Sequence, residues 1–340
     1  MSKPLRVIQV GLGGMGQGWL NLLNESEDVE LVGLVDLRHE AALEAAEKVG
    51  LPPERAVTDQ NAIVRELKPD AVVDITVPAA HKIVTLAALE AGCHVIGEKP
   101  LADSMDNARE MIATAEAVGK IYMVSQNYRW GGQVRAIRQA IADGLLGPVT
   151  NVVCDFFLGA HFGGFRVEMD HPLLIEMSIH HFDMMRCMTQ AAPDAVYCHT
   201  FNPSNSWFAG DASASAIFEM SDGIVFAYRG SWCAEGRNTH WNGDWRIVGE
   251  NGTIIWDGES TPVAYLIGEE EGFLKEANEQ ELSIDAVGQE GLAGSLERFV
   301  EAVRSGEQPE TWCGDNIKSL AMVFGAIESA EKDERVEMNI

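Results

Sequence analysis

The fold is decided by the stretch Arg6-Val-Ile-Gln-Val-Gly11-Leu-Gly13-Gly-Met-Gly16, near the start of the 340-residue chain. A β-branched apolar run breaks there into three glycines with G-x-G-x-x-G spacing, and an apolar pattern of helical period follows. In a strand–turn–helix unit of this kind the first glycine permits the tight turn, the second lets the backbone approach a pyrophosphate, and the third lets the helix pack on the sheet. The N–H groups at the start of the helix then face the phosphates. The stretch therefore predicts a dinucleotide-binding unit.

An acidic residue at the end of the next strand strengthens this prediction. The run 29–35 predicts a second strand, and Asp36 follows it directly, 20 residues beyond Gly16. A carboxylate at this spacing accepts hydrogen bonds from the adenosine ribose hydroxyls and repels a 2′-phosphate. Asp36 therefore favours NAD, while Arg38 keeps NADP open as the alternative. A glycine-rich turn without a ligand is the simpler interpretation, which the strand, helix and acid together disfavour.

Composition and charge limit the classes of partner. The chain is 46% hydrophobic and 23% charged, which is typical of a folded protein with full-sized cores. A formal net charge of −27 disfavours nucleic acid and anionic membranes, because phosphate groups need a basic surface. The apolar stretches are too short to span a bilayer and no signal-peptide core precedes the first strand, so we expect a cytoplasmic protein. Six cysteines without a C-x-x-C pair predict buried thiols and no metal site.

The order of the predicted elements indicates an α/β protein with two domains. Short β-rich runs alternate with helical patterns up to residue 125, which predicts a doubly wound parallel Rossmann sheet. After Gly147-Pro148, strand-like runs follow one another, with hairpin signals at 221–223 and 250–252, and predict a large open, mostly antiparallel sheet. We therefore expect an NAD(P)-binding domain at 1–125 and a substrate-binding and oligomerisation domain at 126–340. Whether the last helices pack back on the first domain stays open.

The open sheet predicts self-association. Apolar residues alternate along 149–157 and 217–228, so one face of the sheet should be apolar and in need of cover. We expect a second copy to cover it, in a homodimer or homotetramer. The acidic run Glu269–Glu271 is expected to be a solvated loop edge.

A second group of residues carries possible chemistry. The predicted strand 94–97 runs into Glu98-Lys99-Pro100, which places Lys99 at the carboxyl edge of the sheet, where open α/β folds bind ligands. Glu176, His180 and Asp183 stand at i, i+4 and i+7 of a predicted helix over 173–189, so they should share one face. A histidine between two carboxylates can act as a proton acceptor. Taken singly, Lys99 is more typical of a solvated lysine and His180 of a hydrogen-bonded helix histidine.

Over essentially its full length the chain resembles the Gfo/Idh/MocA oxidoreductase family. The matching motifs are Gly11-Leu-Gly-Gly-Met-Gly16, Thr76-Val-Pro78 with His81, Glu98-Lys99-Pro100, Gln126-Asn-Tyr-Arg129, Glu176-Met-Ser-Ile-His180-His-Phe-Asp183 and Trp245-Arg-Ile-Val-Gly249-Glu-Asn-Gly-Thr253. The resemblance implies a Rossmann domain followed by an α/β domain with an open sheet. It also implies NAD(P) at the glycine loop and oxidation of a sugar or cyclitol hydroxyl.

The resemblance also assigns roles. Lys99 matches the lysine that contacts the reacting oxygen, and His180 matches the catalytic histidine. Glu176 stands where the family commonly has Asp, so its role depends on its longer side chain. His181 lies on a different helical face from Glu176, which favours His180 as the base. The residues expected to bind the cofactor are Gly11, Gly13, Gly14, Met15, Gly16, Asp36, Leu37, Arg38, Thr76, Pro78, His81, Glu98, Lys99 and Asn127.

The substrate is expected to be a carbohydrate or another polyol, since the second domain is rich in tryptophan and hydrogen-bonding side chains in loops and tryptophan faces pack on the C–H side of pyranose rings. The glycine-rich segment 159–166 is expected to be a mobile loop near the site. The predicted substrate-binding residues are Lys99, Arg129, Trp130, His161, Arg166, His180, Asp183 and Trp241.

Three functions follow from these residues. In the leading one His180, helped by Glu176, removes the proton of a secondary hydroxyl while hydride passes to the nicotinamide, and Lys99 stabilises the alkoxide. The alternative enzyme class is a redox-neutral glycosidase or lyase that acts through a transient keto-sugar on tightly held NAD. The third function is a cofactor-binding sensor without catalysis, which an intact Lys99 and His180 disfavour.

Overall fold

The structure, a computed structural model, describes residues 3–268, 272–285 and 288–340. Two compact units make up the chain: unit 1 contains Met1–Asn127 and Gly288–Ile317, and unit 2 contains Tyr128–Val287 and Lys318–Ile340. The segment 288–317 thus groups with unit 1; the sequence placed the domain boundary at 125 and left open whether the last helices pack back on the first domain. The acidic run Glu269–Glu271, expected to be a loop edge, lies outside the described residues.

Within the described residues, unit 1 is built on a six-stranded parallel sheet. Its strands are β1 Leu5–Val10, β2 Val29–Val35, β3 Ala56–Val57, β4 Ala71–Asp74, β5 His94–Glu98 and β6 Tyr122–Ser125. They are ordered β3-β2-β1-β4-β5-β6, which confirms the predicted doubly wound fold. The strand order reverses beside β1, and the loops that follow β1 and β4 lie at this switch point, where such sheets bind ligands.

Two helix ends show how the local sequence sets the bounds of the helices. They are α1 Gly14–Glu25, α2 His39–Val49, α3 Gln60–Leu67, α4 Pro78–Glu90, α5 Met105–Val118, α6 Gly132–Ala142, α7 Ile179–Thr189, α8 Gly291–Ser305 and α9 Cys313–Lys332. At the start of α3 the Asp59 side chain accepts a hydrogen bond from Ala62 N (3.0 Å). At the end of α2 Gly50 adopts φ 73°, which glycine does without strain. No helix in the described part of the chain is long and apolar enough to cross a membrane.

Unit 2 contains a mixed sheet. Its strands are β7 Val149–Phe157, β8 Pro193–Phe201, β9 Ser213–Met220, β10 Val225–Ser231, β11 Asp244–Gly249, β12 Gly252–Trp256, β13 Val263–Ile267, β14 Ala277–Glu281 and β15 Val336–Glu337. They are ordered β14-β13-β12-β11-β7-β10-β9-β8-β15. Among these strands β7 and β10 pair in parallel and the other neighbours are antiparallel. The two predicted hairpin turns, at 221–223 and 250–252, join β9 to β10 and β11 to β12.

The two faces of this sheet have different surroundings. On one face Phe218 and Phe226 are fully buried against Phe182 of α7, with ring centroids 4.9 and 6.1 Å from it. On the other face Tyr197 and Ile217 stand directly opposite each other on β8 and β9 and are 42% and 53% exposed. This alternation follows from the two-residue period of a strand. Tyr197 and Ile217 are thus exposed apolar side chains on a face that also carries Glu219 and the Arg229–Asp155 ion pair, and the predicted self-association stays a prediction.

The segment that precedes α7 departs from the prediction. Residues Leu173–Ser178 form a π-helix that continues directly into α7, where the sequence predicted one regular α-helix. A π-helix pairs residue i with i+5 and turns less per residue than an α-helix. Glu176 therefore does not stand at α-helical spacing from His180, whereas Asp183 does. Such π segments occur frequently at functional sites.

Candidate functional site

The glycine loop of unit 1 packs closely against the neighbouring backbone and is held by the side chain of Gln9. Gly11 has φ +95°, and a Cβ there would lie 2.4 Å from the carbonyl oxygen of Ile75. A Cβ on Gly16 would lie 2.5 Å from the carbonyl oxygen of Gly11. The buried Gln9 side chain donates from Nε2 to the carbonyl oxygens of Gly11 (3.0 Å) and Gly16 (2.7 Å). The first and third glycines of the motif are therefore required by the fold itself.

The glycines between them are not required by the fold. A Cβ on Gly13 or Gly14 would have no atom of the chain within 4 Å. These two positions flank the first turn of α1, where unpaired backbone N–H groups attract an anion. Met15, the next residue, is 47% exposed. The space beside Gly13 therefore fits a pyrophosphate, which needs close approach to the backbone.

Asp36 is fixed beside this loop. Its Oδ2 accepts from Leu12 N (2.9 Å), its Oδ1 accepts from Arg38 N (2.9 Å), and the Arg38 Nε lies 3.7 Å from Oδ1. Both carboxylate oxygens keep further acceptor capacity, which suits a ribose diol. The neighbouring Leu37 is 94% exposed. Arg38 and Lys48 also line a cavity of about 460 Å³ between α1 and α2, together with the acidic Glu40 and Glu44.

The loop after β4 is organised by a buried aspartate that the sequence analysis missed. Asp74 Oδ1 accepts from Thr76 N (3.1 Å) and Thr76 Oγ1 (2.6 Å), and its Oδ2 accepts from Thr85 Oγ1 (3.1 Å). His81, predicted to bind the cofactor, is fully buried and contacts the Thr76 carbonyl oxygen through Nε2 (3.1 Å). Its side chain therefore holds the loop, while Thr76 and Pro78 are half-buried. An acidic residue that closes an apolar strand was the available signal for Asp74.

The end of β5 presents Lys99 above a buried carboxylate. Glu98 is 6% exposed; its Oε1 accepts from Trp19 Nε1 (2.8 Å) and its Oε2 from Lys99 N (3.2 Å). Burial raises the pKa of Glu98, and the Trp19 hydrogen bond opposes this shift. Lys99 is half-buried, and its peptide bond to Pro100 is cis. The Glu98 carboxylate, predicted to contact the cofactor, is thus hydrogen-bonded within unit 1.

Two polar residues follow β6 in unit 1. Asn127, predicted to bind the cofactor, is half-buried at the start of the 3₁₀ segment Asn127–Trp130. Gln126 was not predicted, yet its side-chain amide is 1% exposed and both of its polar atoms have no hydrogen-bond partner among the described residues. A buried unsatisfied amide is costly and unusual in a folded protein. Its place at the carboxyl edge of the sheet is consistent with a polar ligand there.

In unit 2, His180 lies in the first turn of α7 and packs against an aromatic neighbour. The imidazole is 6% exposed and stacks on the Tyr128 ring, with centroids 4.2 Å apart and planes 19° apart. Burial raises the pKa of Tyr128 to about 12, so its hydroxyl stays protonated at neutral pH. The stacking fixes the plane of the imidazole before any substrate binds. Tyr128 was missed as a site residue although it lies within the quoted motif Gln126–Arg129.

Glu176 is paired with the glycine-rich segment. Arg166 donates from Nε to Glu176 Oε2 (3.0 Å), and the carboxylate is almost fully buried. The Arg166 guanidinium also lies over the rings of Phe162 (5.6 Å) and Phe165 (4.8 Å). The structure thus brings two predicted site residues together, ten positions apart in the sequence. The pair offers donors and an acceptor side by side, which suits a hydroxyl-bearing ligand.

Asp183 and Arg129 bind each other. Asp183 Oδ2 accepts from Arg129 Nε (2.7 Å), and Oδ1 accepts from Arg129 Nη2 (2.5 Å) and Ser319 Oγ (2.8 Å). Asp183 is 1% and Arg129 3% exposed. Both were predicted to contact substrate, but their charged groups face each other inside unit 2. Bidentate pairing of this kind fixes the segment after β6 against α7.

His181 belongs to a separate buried network. Its Nε2 contacts the Trp241 carbonyl oxygen (3.0 Å) and its Nδ1 contacts Tyr228 Oη (3.3 Å), which Ser178 Oγ also contacts (3.0 Å). Because a carbonyl only accepts, Nε2 carries the proton and Nδ1 accepts from the tyrosine. Burial lowers the pKa of His181 to about 4, so the ring is neutral near pH 7. This network accounts for His181 without catalysis and agrees with the preference for His180.

The remaining predicted substrate residues are dispersed. Trp130 is 4% exposed, with Arg135 over its ring at 5.3 Å, so it packs inside unit 2. His161 is largely exposed; its Nε2 lies 2.9 Å from Glu235 Oε1 and its ring stacks on Trp207 at 3.8 Å. Trp241 is 37% exposed. No group of three or more His, Cys, Asp or Glu side chains in the described ranges could hold a metal ion.

A switch-point glycine loop that leaves room for a pyrophosphate, followed by a fixed acidic residue, defines unit 1 as a dinucleotide-binding domain. The family comparisons give the same class. Residues 5–126 match the Gfo/Idh/MocA family model described as "Oxidoreductase family, NAD-binding Rossmann fold". Residues 134–255 match the C-terminal domain model of the same family. The chain belongs to the Gfo/Idh/MocA family of oxidoreductases.

Two named dehydrogenases and one solved structure are among the proteins similar to the chain. D-glucoside 3-dehydrogenase of Escherichia coli is 31% identical over 207 residues, which cover 59% of this chain and 58% of that protein. Myo-inositol 2-dehydrogenase of Thermotoga maritima is 23% identical over 349 residues, 98% of each chain. An oxidoreductase of Agrobacterium radiobacter, solved with NAD⁺, L-tartaric acid and magnesium, matches 99% of both chains with a TM-score of 0.88 and 18% identity. This last similarity shows the fold.

Proposed function

We propose that the chain is an NAD-dependent dehydrogenase that oxidises a secondary hydroxyl of a sugar, a sugar derivative or a cyclitol. The observation that carries the proposal is His180, an almost buried imidazole whose plane is fixed by Tyr128 in a family of NAD-binding oxidoreductases. The names of the similar proteins, a glucoside dehydrogenase and an inositol dehydrogenase, support a polyhydroxylated substrate.

The residues of unit 1 fit the cofactor. Gly13 and Gly14 leave the space for the pyrophosphate, and Asp36 binds the ribose hydroxyls with the acceptor capacity that Leu12 and Arg38 leave. When bound, NAD supplies the hydride acceptor. The negative charge of Asp36 disfavours a 2′-phosphate, and this supports NAD over NADP despite Arg38. Met15, Leu37, Thr76, Pro78 and Asn127 remain proposed contacts.

His180 takes the proton of the reacting hydroxyl. Its Nδ1 is buried, so the exchange with substrate takes place at Nε2. Stacking on Tyr128 keeps that atom oriented, and positioning of a base in this way lowers the barrier because less motion is frozen during the reaction. The Tyr128 hydroxyl does not compete as a base, since burial raises its pKa to about 12.

Lys99 stabilises the oxygen from which the proton leaves. An ammonium group placed against a developing alkoxide contributes electrostatic stabilisation, which is commonly the largest catalytic effect. The buried Glu98, joined to Trp19 and to the Lys99 backbone, fixes the end of β5 that carries this lysine. Lys99 is accordingly proposed as a catalytic and substrate-binding residue.

Glu176 and Arg166 bind substrate hydroxyls as a pair. Glu176 is proposed as a catalytic residue because it binds and orients the reacting hydroxyl. Arg129 and Asp183 hold the surrounding backbone, and we propose them as positioning residues in place of substrate contacts. The exposed apolar side chains of Ile217 and Tyr197 support a homodimer or homotetramer, which light scattering of the purified protein would measure.

The test is NADH formation, followed by absorbance, with added NAD and a panel of hexoses, inositols, uronates and glycosides. The expected result is steady NADH formation with one class, lost by at least a hundredfold in kcat in His180→Ala and Lys99→Ala. His199→Ala, which removes an exposed histidine of β8, is the matched control and keeps full activity. Sugar release from a glycoside without net NADH would contradict the proposal and establish the redox-neutral alternative.

A further inference from the structure

Three loops of unit 2 lie at the same end of the strands of its sheet. Ser231, the last residue of β10, pairs with Phe157 at the end of β7 and with Ser213 at the start of β9. Ser213 also pairs with Phe201 at the end of β8. The segments 158–166, 202–212 and 232–243 therefore all adjoin the same end of these neighbouring strands. None of the motifs that the sequence analysis singled out includes the middle segment.

These loops carry a continuous series of aromatic rings, which we name the aromatic platform: His161, Phe162, Trp207, Phe208, Trp232 and Trp241. Phe162 lies 6.2 Å from Trp241 and 5.2 Å from Trp232, measured between ring centroids. Trp232 stacks on Phe208 at 5.8 Å and 7°, Phe208 lies 5.8 Å from Trp207, and Trp207 stacks on His161 at 3.8 Å. The rings join all three loops.

The platform contains two hydrogen-bond donors that the protein leaves unsatisfied. The indole nitrogens of Trp207 and Trp232 are buried and have no partner among the described residues. Trp232 is 3% exposed. Buried tryptophans normally find an acceptor for this N–H group, and leaving it unpaired costs free energy. Two such donors in one aromatic cluster mark a region where the described residues do not satisfy every polar group.

The edges of the platform are open to solvent. The His161 side chain is 63% exposed and Trp241 is 37% exposed. Glu235, whose side chain is 63% exposed, adds a carboxylate acceptor at the His161 end. Aromatic faces together with polar atoms at the rim are the combination that binds a sugar ring, which has an apolar C–H face and a polar edge.

Arg166 connects the platform to the proposed substrate site. Its guanidinium lies over Phe162 and donates to Glu176, four residues before His180. A ligand bound at Glu176 would therefore meet Phe162 first, and the series of rings continues beyond it to Trp207. One pyranose ring held at Glu176 does not extend along the whole series, so the far end is available to a further part of the substrate.

We propose that the aromatic platform is a subsite for a second sugar ring, so that the natural substrate is a disaccharide or a longer oligosaccharide rather than a free monosaccharide. The second ring places its C–H face on the half-buried Trp207 and its hydroxyls against the exposed side chains of His161 and Glu235. This inference rests on the proposed function for the identity of the reacting ring. The subsite itself binds carbohydrate without any chemical step.

The test compares Trp207→Ala and Trp207→Phe with the unchanged protein. Calorimetry in the presence of NAD measures the affinity for a disaccharide, for the methyl glycoside of its reacting ring and for an aryl glycoside. The expected disaccharide-to-methyl-glycoside affinity ratio is at least ten in the unchanged protein and falls at least fivefold in Trp207→Ala. Trp207→Phe, which keeps a ring and removes the N–H group, gives an intermediate ratio. Phe273→Ala, which removes a fully exposed ring elsewhere in unit 2, leaves the ratio unchanged.

Each outcome has a defined meaning. An affinity ratio near one, or a ratio that Trp207→Ala does not change, overturns the subsite. A preference for the aryl glycoside over every disaccharide also overturns it, since the platform would then bind an aromatic group. Because binding is measured, a disaccharide preference without NADH formation supports the subsite and contradicts only the proposed dehydrogenase function.

Discussion

Replacement of Asp183 by Asn tests whether the buried ion pair holds α7, the helix of His180. The Asp183 carboxylate accepts two hydrogen bonds from Arg129 and one from Ser319, and Arg186 Nη1 lies 4.0 Å away. Asn keeps the shape and loses the charge that faces two guanidinium groups, each at most 6% exposed. Breaking a buried pair costs about 3–5 kcal/mol. Because Asn retains one acceptor oxygen, we expect the free energy of unfolding to fall by about 3 kcal/mol.

The matched control is Asp155→Asn. Asp155 pairs bidentately with Arg229, but the Arg229 side chain is 60% exposed. Pairs exposed to solvent contribute about 0–1 kcal/mol, so this variant should unfold almost like the unchanged protein.

The assay is urea unfolding followed by tryptophan fluorescence. Six of the eight tryptophans lie in unit 2, so the signal reports chiefly on the unit that contains both pairs. The shift in transition midpoint at constant slope gives the change in unfolding free energy. If Asp183→Asn loses no more than Asp155→Asn, the ion pair does not hold α7 and the positioning role of Arg129 is wrong.

Three further predictions concern the cofactor loop and the buried histidine. Gly13→Ala should change the unfolding free energy by no more than about 0.5 kcal/mol, because its Cβ meets no atom of the chain. The same variant should weaken NAD binding at least tenfold, measured by calorimetry. Gly16→Ala should lower both the unfolding free energy and the affinity for NAD, since its Cβ would lie 2.5 Å from the Gly11 carbonyl oxygen. Asp36→Ala should lower the NAD-to-NADP affinity ratio at least tenfold, and an unchanged ratio would show that Asp36 does not select the cofactor. The His181 pKa falls from 6.5 to about 4 on folding, so the unfolded chain binds the extra proton and stability declines as pH falls from 6.5 to 4, by about 3 kcal/mol in total from this residue. His181→Gln should remove that share of the pH dependence in urea titrations at several pH values.

The local features of the fold were predictable from the sequence because they depend on neighbouring residues. The glycine loop and Asp36 follow from a short motif, and the hairpins at 221–223 and 250–252 follow from turn residues between strand-like runs. The alternation of strands and helices sets the doubly wound sheet in the same way. The membership of 288–317 in unit 1 depends on packing between distant segments, and no local pattern indicated it.

The partners of charged side chains were not predictable in this way. Arg129 and Asp183 are 54 residues apart, and only the fold brings their charges together. Their place in the quoted motifs predicts substrate contacts, and the sequence alone does not show that the two charged side chains pair with each other. The π-helix at 173–178 likewise has no sequence signal in a single chain, and it removes the regular spacing that placed Glu176 and His180 on one face.

The proposed reaction transfers a hydride from a carbon of the sugar to NAD. Its most direct test is mass spectrometry of the NADH formed from glycosides, hexoses or inositols that carry deuterium at every ring carbon. The expected product is NADH that contains one deuterium atom, formed by the unchanged protein and not by His180→Ala. Deuterium that stays in, or returns to, a cleaved sugar product without labelled NADH in solution would contradict it.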